Sequence, residues 1–296
     1  MDWFRYVFED ANRHLCEKIQ NVPNIPEPHL DTTFISHLMG YASPMRLAGQ
    51  WAIKIDTHFI GGLSQFRSWE IADIGVFVFF QQAGKLVRQK VALLQSKRLY
   101  PDVGDVVELE TYDYWLGMAR LGAKQGSQAP LLAQRTFSFS MESAYQALQR
   151  GKQVDRIKVF QKRSTIPVFY LLYNPANVPC TIKTPLDFHT RFNSTPVLGT
   201  RVVEASKVHQ ILDSVDYFPS VLDIDLAMPA GETVSRVGGW RLEYFMSDLL
   251  LGCFVGKRFT SADDEELFEI FNRRSGPITA TIAVTVDVPE DVRLPD

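Results

Sequence analysis

The spacing of apolar residues predicts helices at the start of the chain. Aromatic and aliphatic residues recur at helical spacing over 3–20, which predicts a first helix. The stretch "NVPNIPEPH" holds three prolines in six residues, so we expect it to interrupt that helix. A second helix is expected to open at Asp31 and to stop near Gly40.

Strand patterns follow the second helix. "QWAIKIDTHFIGG" alternates and ends in two glycines, as a strand does. Residues 71–80 are rich in β-branched and aromatic side chains, a glycine turn lies within 82–85, and a second apolar run covers 86–97. This arrangement predicts a β-hairpin. "IPVFYLLYNP" predicts a fully buried strand closed by Asn-Pro.

The remaining segments mix helix and strand. The segment 105–122 is mixed, with a helix expected around "TYDYWLGMARLG" (111–122), and a basic helix is expected over 143–163. "GWRLEYFMSDLLLGCFVGKRF" predicts a buried helix, a further helix is expected to end near Arg274, and "TATIAVTVDVP" predicts a closing strand. The order over 31–173 is therefore helix, three strands, helix and strand (αβββαβ), in an α/β (α+β) protein.

The same order suggests a division of the chain. Residues 1–30 would form an N-terminal helical extension and residues 31–180 a core with a mixed central sheet. Residues 181–296 would form a C-terminal α+β accessory region, either separate or packed with the core as one domain.

Charge is distributed unevenly along the 296 residues, although the net charge is only −3. Residues 1–203 carry 23 Lys and Arg against 17 Asp and Glu, whereas residues 204–296 carry 8 against 17. Such asymmetry indicates either a basic working face with an acidic C-terminal part, or simply scattered solvated charge.

Several classes of protein are disfavoured by what the sequence lacks. The three cysteines show no CxxC spacing, which fits a reducing cytoplasm better than a zinc cluster or a disulfide framework. No HxxxH, P-loop or GxSxG pattern occurs. The most apolar segment, 249–255, is too short to span a bilayer, so we expect a cytoplasmic protein without a membrane partner.

Candidate chemistry lies in "VALLQSKRLY", residues 91–100. Side chains two apart share a face of a strand, so Gln95 and Lys97 lie together at the end of an apolar run. Asp73 begins the neighbouring hairpin strand, and Glu70 lies three residues before it. An acid, an amide oxygen and a lysine at one strand end can hold Mg²⁺ beside a water molecule. The alternative is a capped strand whose lysine only pairs with Asp73.

Asp73 followed by Gln95-Ser96-Lys97 resembles the signature of the PD-(D/E)XK (restriction-endonuclease-like) nuclease superfamily, in its QxK variant. The resemblance covers about half of the chain and implies an αβββαβ nuclease core. It implies Mg²⁺, with Mn²⁺ as a substitute, held by Asp73, Gln95 and the backbone carbonyl of Ser96. Lys97 would orient or deprotonate the attacking water, and Glu70 would be an additional acid. The family often takes another acid from its first core helix, where this chain offers Asp31 and no glutamate.

Basic residues near these positions are candidates for contact with phosphates. The strand 85–98 holds five cations and no acid, and the segment 143–163 is also basic. The proposed contacts are Lys90, Arg98, Tyr100, Arg156, Lys162 and Arg163.

The sequence therefore predicts a Mg²⁺-dependent nuclease hydrolysing phosphodiester bonds, with DNA as the expected substrate. By family analogy it would serve in anti-phage defence or restriction. It would act as a homo-oligomer or with a partner such as an ATPase, a helicase or a sensor. One alternative is an inactive nuclease-fold subunit that binds nucleic acid, and another is an unrelated α+β interaction module.

Overall fold

A computed structural model describes residues 1–60, 71–102, 135–184, 188–227, 239–259 and 278–293. The helices are α1 (Asp2–Asn21), α2 (Glu27–Leu38), α3 (Lys152–Arg163), α4 (Ala205–Ser214), α5 (Val221–Ala227) and α6 (Leu242–Tyr244). A π-helical segment, Phe245–Leu251, continues α6, and short 3-10 helices cover Met39–Tyr41 and Ala48–Gln50.

The strands follow the same chain order. They are β1 (Met45–Arg46), β2 (Ala52–Phe59), β3 (Ile74–Gln82), β4 (Lys85–Arg98), β5 (Arg135–Phe139), β6 (Val168–Tyr173), β7 (Cys180–Thr184), β8 (Arg201–Glu204), β9 (Trp240–Arg241), β10 (Lys257–Phe259) and β11 (Ala280–Val288).

One mixed sheet of nine strands organises the molecule. Its order is β1-β2-β11-β3-β4-β6-β8-β9, and β10 pairs with β4 away from this path. The pairs β11–β3 and β4–β6 are parallel, and the other pairs in the sheet are antiparallel. A separate antiparallel pair joins β5 to β7. The protein is therefore α+β with a mixed central sheet.

Strand β11 occupies a position that the chain order does not suggest. It lies between β2 and β3, antiparallel to the former and parallel to the latter. The start of β11 is held beside Asp73, because the backbone carbonyl of Asp73 accepts hydrogen bonds from the N–H groups of Thr279 and Ala280. The sheet thus combines strands from both regions that the sequence suggested, 31–180 and 181–296.

The strongest hydrophobic patterns gave correct elements. The first helix, the β3–β4 hairpin, strand β6 and strand β11 all lie where the periodicity predicts them. Residues 89–98 of β4 are buried without a break, as is every residue of β6. The apolar run of β4 is long because side chains on both faces of this strand are buried.

Helix α2 begins earlier than predicted, at Glu27 instead of Asp31. Pro26 occupies the N-cap position, and Pro28 lies in the first turn. Backbone N–H groups in the first turn have no hydrogen-bond acceptor within the helix, so a proline there removes no helical hydrogen bond. The prolines therefore lie at the start of this helix, in addition to ending α1 as predicted.

The predicted basic helix over 143–163 is wrong in its first half, because α3 begins at Lys152. The backbone N–H of Tyr145 bonds to the carbonyl of Pro219, and Ala144 forms a β-bridge with Ser220. These long-range bonds replace the local bonds of a helix. The predicted helix over 240–259 is also too long, since the helical part ends at Leu251 and residues Lys257–Phe259 form β10.

Two predicted helices, one around 111–122 and one ending near Arg274, lie outside the described residues. None of the described helices is long and apolar enough to cross a membrane.

Candidate active site

The end of β4 is joined to the start of α2 through three consecutive side chains. Ser96 Oγ donates a hydrogen bond to Asp31 Oδ1. Lys97 Nζ lies 3.1 Å from Glu27 Oε1. Arg98 donates through its guanidinium to the backbone carbonyls of Ile25 and Pro23, the latter at 2.6 Å. This strand end is therefore fixed along the first turns of the helix.

Asp73 enters the same cluster from the start of β3. Its backbone N–H bonds to the carbonyl of Leu94 at 3.0 Å, which continues the antiparallel ladder of the hairpin. Its Oδ2 accepts the backbone N–H of Ser96 at 2.7 Å and the side-chain amide of Gln95. The structure thus brings Asp73 and Gln95 together and places Lys97 two residues further along the same strand.

Lys97 is almost completely buried, with 4 % of its side chain exposed. Burial alone lowers the pKa of Lys97, but the charges of Glu27 and Asp73 outweigh it, so the pKa is raised. Its ammonium also donates to the backbone carbonyl of Ser96 at 2.6 Å. Lys97 is therefore held as a cation, and its pairing partner is Glu27 and not the predicted Asp73.

Negative charge accumulates around this one lysine. Burial and the charges of Asp73 and Glu27 raise the pKa of Asp31 well above its usual range. Burial and the charge of Asp73 also raise the pKa of Glu27, against the lowering effect of Lys97. Three carboxyl groups thus influence one another beside a single ammonium, and an additional cation would relieve their repulsion.

Two buried oxygens in this cluster accept no hydrogen bond in the part of the chain that is described. They are Glu27 Oε2 and Gln95 Oε1. Unsatisfied buried acceptors are costly unless a partner arrives, and carboxylate and amide oxygens are the donors that Mg²⁺ and Mn²⁺ prefer. A half-turn of the Gln95 amide would exchange its nitrogen for its oxygen next to Asp73. The residues present therefore fit a hard divalent cation.

Acidic side chains alone do not complete such a site. Within the described ranges, no three His, Cys, Asp or Glu side chains are grouped so that they could hold a metal by themselves. The candidate set needs the Gln95 amide and the Ser96 backbone carbonyl, which are the two neutral ligands that the sequence proposes. Glu70, the additional predicted acid, lies outside the described residues.

Three of the predicted phosphate contacts are buried. Lys90 is 1 % exposed and donates to the backbone carbonyl of Leu250 at 2.8 Å. Arg98 is 1 % exposed, binds the loop before α2 and lies over the ring of Tyr100, which is itself buried. In this conformation these side chains support the fold and do not reach a surface where a phosphate could bind.

The remaining predicted contacts lie on α3 and are accessible. Lys162 and Arg163 are exposed and Arg156 is half-buried. Lys158, on the same helix, pairs with Asp213 at 2.8 Å. Over the described residues, Arg156, Lys162 and Arg163 make no ion pair. Their charges are thus available on the helix surface.

Sequence reasoning missed Glu27 and Tyr173. Glu27 was missed because the helix was predicted to open four residues later, and the conclusion that this helix offers no glutamate is wrong. Because proline is well tolerated in the first turn of a helix, the prolines at 26 and 28 could have indicated a helix that begins before Asp31 and includes Glu27. Glu27 and Asp31 are then one turn apart on the same helix face. Tyr173, whose hydroxyl donates to Asp31 Oδ1 at 2.7 Å, belongs to an apolar strand and gave no signal.

Comparison of the chain with protein-family models, with curated proteins and with solved structures found no match.

Proposed function

We propose that the chain is a metal-dependent nuclease that hydrolyses phosphodiester bonds, with the cluster around Asp73 and Lys97 as its active site. The observation that carries the proposal is the meeting of Asp73, Gln95 and Lys97 with the two acids of α2, Glu27 and Asp31. Within this cluster, two buried oxygens accept no hydrogen bond. Ion pairing of a strand-end lysine would by itself need only one acid.

The arrangement of elements supports a restriction-endonuclease-like core. Over residues 27–173 the described elements include α2, β2, β3, β4, α3 and β6, in the αβββαβ order. β3 and β4 are antiparallel, and β6 is parallel to β4. The insertion of β11 between β2 and β3 is a departure from that simple order.

The chain's own residues would divide the chemistry as follows. Asp73, the Gln95 amide oxygen and the Ser96 carbonyl would hold Mg²⁺ or Mn²⁺, which polarises phosphate and lowers the pKa of bound water. Lys97 donates hydrogen bonds and places a positive charge where negative charge develops during attack on phosphorus. Glu27 holds the Lys97 ammonium in place and raises its pKa, so Lys97 would act as a cation and not as the general base.

Helix α3 would supply contact with the nucleic acid backbone. Arg156, Lys162 and Arg163 carry charges that no described acid neutralises. The 12 residues of α3 extend for about 18 Å, which is the length of several nucleotides. Contacts of this kind give affinity and salt dependence without sequence specificity. Recognition of a target, as in anti-phage defence, would need a second copy or a partner such as an ATPase, a helicase or a sensor.

A cleavage assay tests the proposed function. Purified protein is incubated with supercoiled plasmid DNA and Mg²⁺ or Mn²⁺, beside Asp73→Ala and Lys97→Ala. Lys54→Ala is the matched control, because it removes a lysine of a partly exposed ion pair on β2, outside both the cluster and α3. Cleavage by the wild type and the control, and its loss in both site variants, supports the proposal. Metal-dependent binding without cleavage would indicate an inactive nuclease-fold subunit. Absence of both binding and cleavage would favour a protein-interaction module.

A further inference from the structure

Ser96, the middle residue of Gln95-Ser96-Lys97, contacts a different charged residue with each of its polar atoms. Its N–H donates to Asp73 Oδ2 at 2.7 Å, and its hydroxyl donates to Asp31 Oδ1. Its carbonyl oxygen accepts a hydrogen bond from Lys97 Nζ at 2.6 Å. Its side chain is completely buried. Any residue at this position could make the two backbone hydrogen bonds, but the hydrogen bond to Asp31 requires a side-chain hydroxyl.

Tyr173 binds the same oxygen of Asp31 from the neighbouring strand. Its hydroxyl donates to Asp31 Oδ1 at 2.7 Å, and the whole residue is buried. Tyr173 stands opposite Arg98 in the β4–β6 register, beside the strand end that carries Ser96. Strands β4 and β6 therefore each place one hydroxyl donor on the same carboxylate oxygen of α2.

Concentrating both donors on Oδ1 affects the other oxygen of Asp31. Among the described contacts, Asp31 Oδ2 accepts no hydrogen bond. Two donors on one oxygen fix the rotation of a carboxylate and leave the second oxygen available. In metal sites, partners that orient a ligand in this way typically change metal affinity by about 10- to 100-fold.

We propose that Ser96 and Tyr173 are positioning residues that orient the Asp31 carboxylate toward the divalent cation of the proposed active site. This inference rests on the proposed function. Neither hydroxyl touches the cation. Each acts through Asp31, and their loss would weaken metal binding while leaving the ligands Asp73 and Gln95 in place.

The test measures Mn²⁺ affinity by titration calorimetry for Ser96→Ala and Tyr173→Phe, with folding verified by circular dichroism and thermal melting. The chain offers matched controls for both. Ser143 is a buried serine whose hydroxyl donates to Asp102, and Tyr145 is a buried tyrosine whose hydroxyl donates to Asn174 at 2.8 Å. Ser143→Ala and Tyr145→Phe lose comparable hydrogen bonds away from the cluster.

We expect Ser96→Ala and Tyr173→Phe each to weaken Mn²⁺ binding by about tenfold or more, with both controls within about twofold of wild type. Adding Asp31→Asn to either variant should cause little further loss, because both act through Asp31. A loss of affinity in Asp31→Asn that adds fully to that of Tyr173→Phe would overturn the inference.

Other outcomes separate this inference from the proposed function. If Asp73→Ala abolishes Mn²⁺ binding while Ser96→Ala and Tyr173→Phe bind as the wild type does, the inference fails and the proposed metal site stands. If the wild-type protein binds no Mn²⁺, both fail. Should one variant not fold, the other decides the inference, since the two hydroxyls come from different strands.

Discussion

Lys97 Nζ and Glu27 Oε1 lie 3.1 Å apart although 70 residues separate them in the chain. The lysine is 4 % exposed and the glutamate 17 % exposed, so this ion pair is largely removed from water. An ion pair in such surroundings is weak evidence of net stabilisation. Here the charges of Asp73 and Asp31 also act on Lys97, so removing Glu27 does not leave the lysine without a counter-ion.

We therefore predict that Glu27→Gln lowers the free energy of unfolding by only about 1 kcal/mol, because Lys97 loses its hydrogen bond to an acid while the charges of Asp73 and Asp31 remain beside it. Urea denaturation measures the change. Asp213→Ala is the control, since it breaks the exposed pair with Lys158 and should change stability less than Glu27→Gln does. Equal losses in the two variants would contradict the buried character of the Lys97–Glu27 pair.

Arg98→Met should destabilise the protein by about 3 kcal/mol, because the carbonyls of Ile25 and Pro23 lose a charged donor. Thermal and urea unfolding measure this effect. Arg163→Met, an exposed residue of α3, should change stability by only about 0.5 kcal/mol. If Arg98→Met is as stable as the wild type but binds DNA more weakly, Arg98 contacts phosphate, as the sequence suggested, and does not mainly support the fold.

Replacing Arg156, Lys162 and Arg163 together by alanine should weaken nucleic acid binding at low salt. It should also reduce the slope of log affinity against log salt by up to about 3, because each phosphate contact contributes about 0.9. Fluorescence anisotropy with labelled duplex DNA over a salt series gives both quantities. The exposed cations Arg46, Lys183 and Arg191 provide a control triple of equal charge. An equal effect from that triple would indicate a general charge effect and not a surface on α3.

Gln95→Glu should lower the stability of the metal-free protein and raise its affinity for Mn²⁺. Without metal, a carboxylate beside Asp73 adds repulsion to an acidic cluster, and we expect a loss of about 1 to 3 kcal/mol. With Mn²⁺, an added charged ligand should tighten binding by about tenfold. Gln89→Glu, a buried glutamine on the same strand outside the cluster, should destabilise without changing Mn²⁺ affinity. Unchanged affinity in Gln95→Glu would argue against Gln95 as a ligand.

The buried His209 predicts a pH dependence of stability that does not involve the carboxyl groups around Lys97. Burial, followed by the charge of Lys158, lowers the pKa of His209 to about 4, against opposing effects of Asp213 and Asp155. The unfolded chain, with a His pKa of about 6.5, binds more protons, so stability falls as the pH drops from about 6.5 to 4. The loss should approach about 3 kcal/mol.

Chemical denaturation over that pH range measures the loss. His209 also lies 3.3 Å from the Tyr170 hydroxyl, so His209→Gln, which cannot take up a proton, serves as the comparison. The stability of His209→Gln should depend less on pH between 6.5 and 4 than that of the wild type. Parallel curves for the two proteins would sink this assignment.

The sequence predicted local elements well because their signals are local. The β3–β4 hairpin follows from two apolar runs around a glycine turn, and it places Asp73 next to Gln95. The position of β11 could not be predicted, since its pairing with β2 and β3 depends on contacts about 200 residues apart in the chain.

The candidate site was predictable in part. Strand alternation placed Gln95 and Lys97 on one face, but it gave no information on which acid the lysine would pair with. Lys90 and Arg98 were taken as surface cations although they lie within or directly beside the apolar run 86–97 of the predicted hairpin. The apolar run around them was the stronger signal, and applied consistently it would have indicated that both are buried.

The central position of β11 has a consequence for how the protein is made. The Asp73 carbonyl bonds to Thr279, 206 residues later in the chain, so the sheet around Asp73 stays divided until that segment leaves the ribosome. At typical rates of synthesis this interval is about 10 to 40 s. During it, the edge of β3 that β11 later covers is unpaired. A nascent chain therefore lacks the central strand beside Asp73 until residues 279–288 have been made, and the sheet can close around Asp73 only after that.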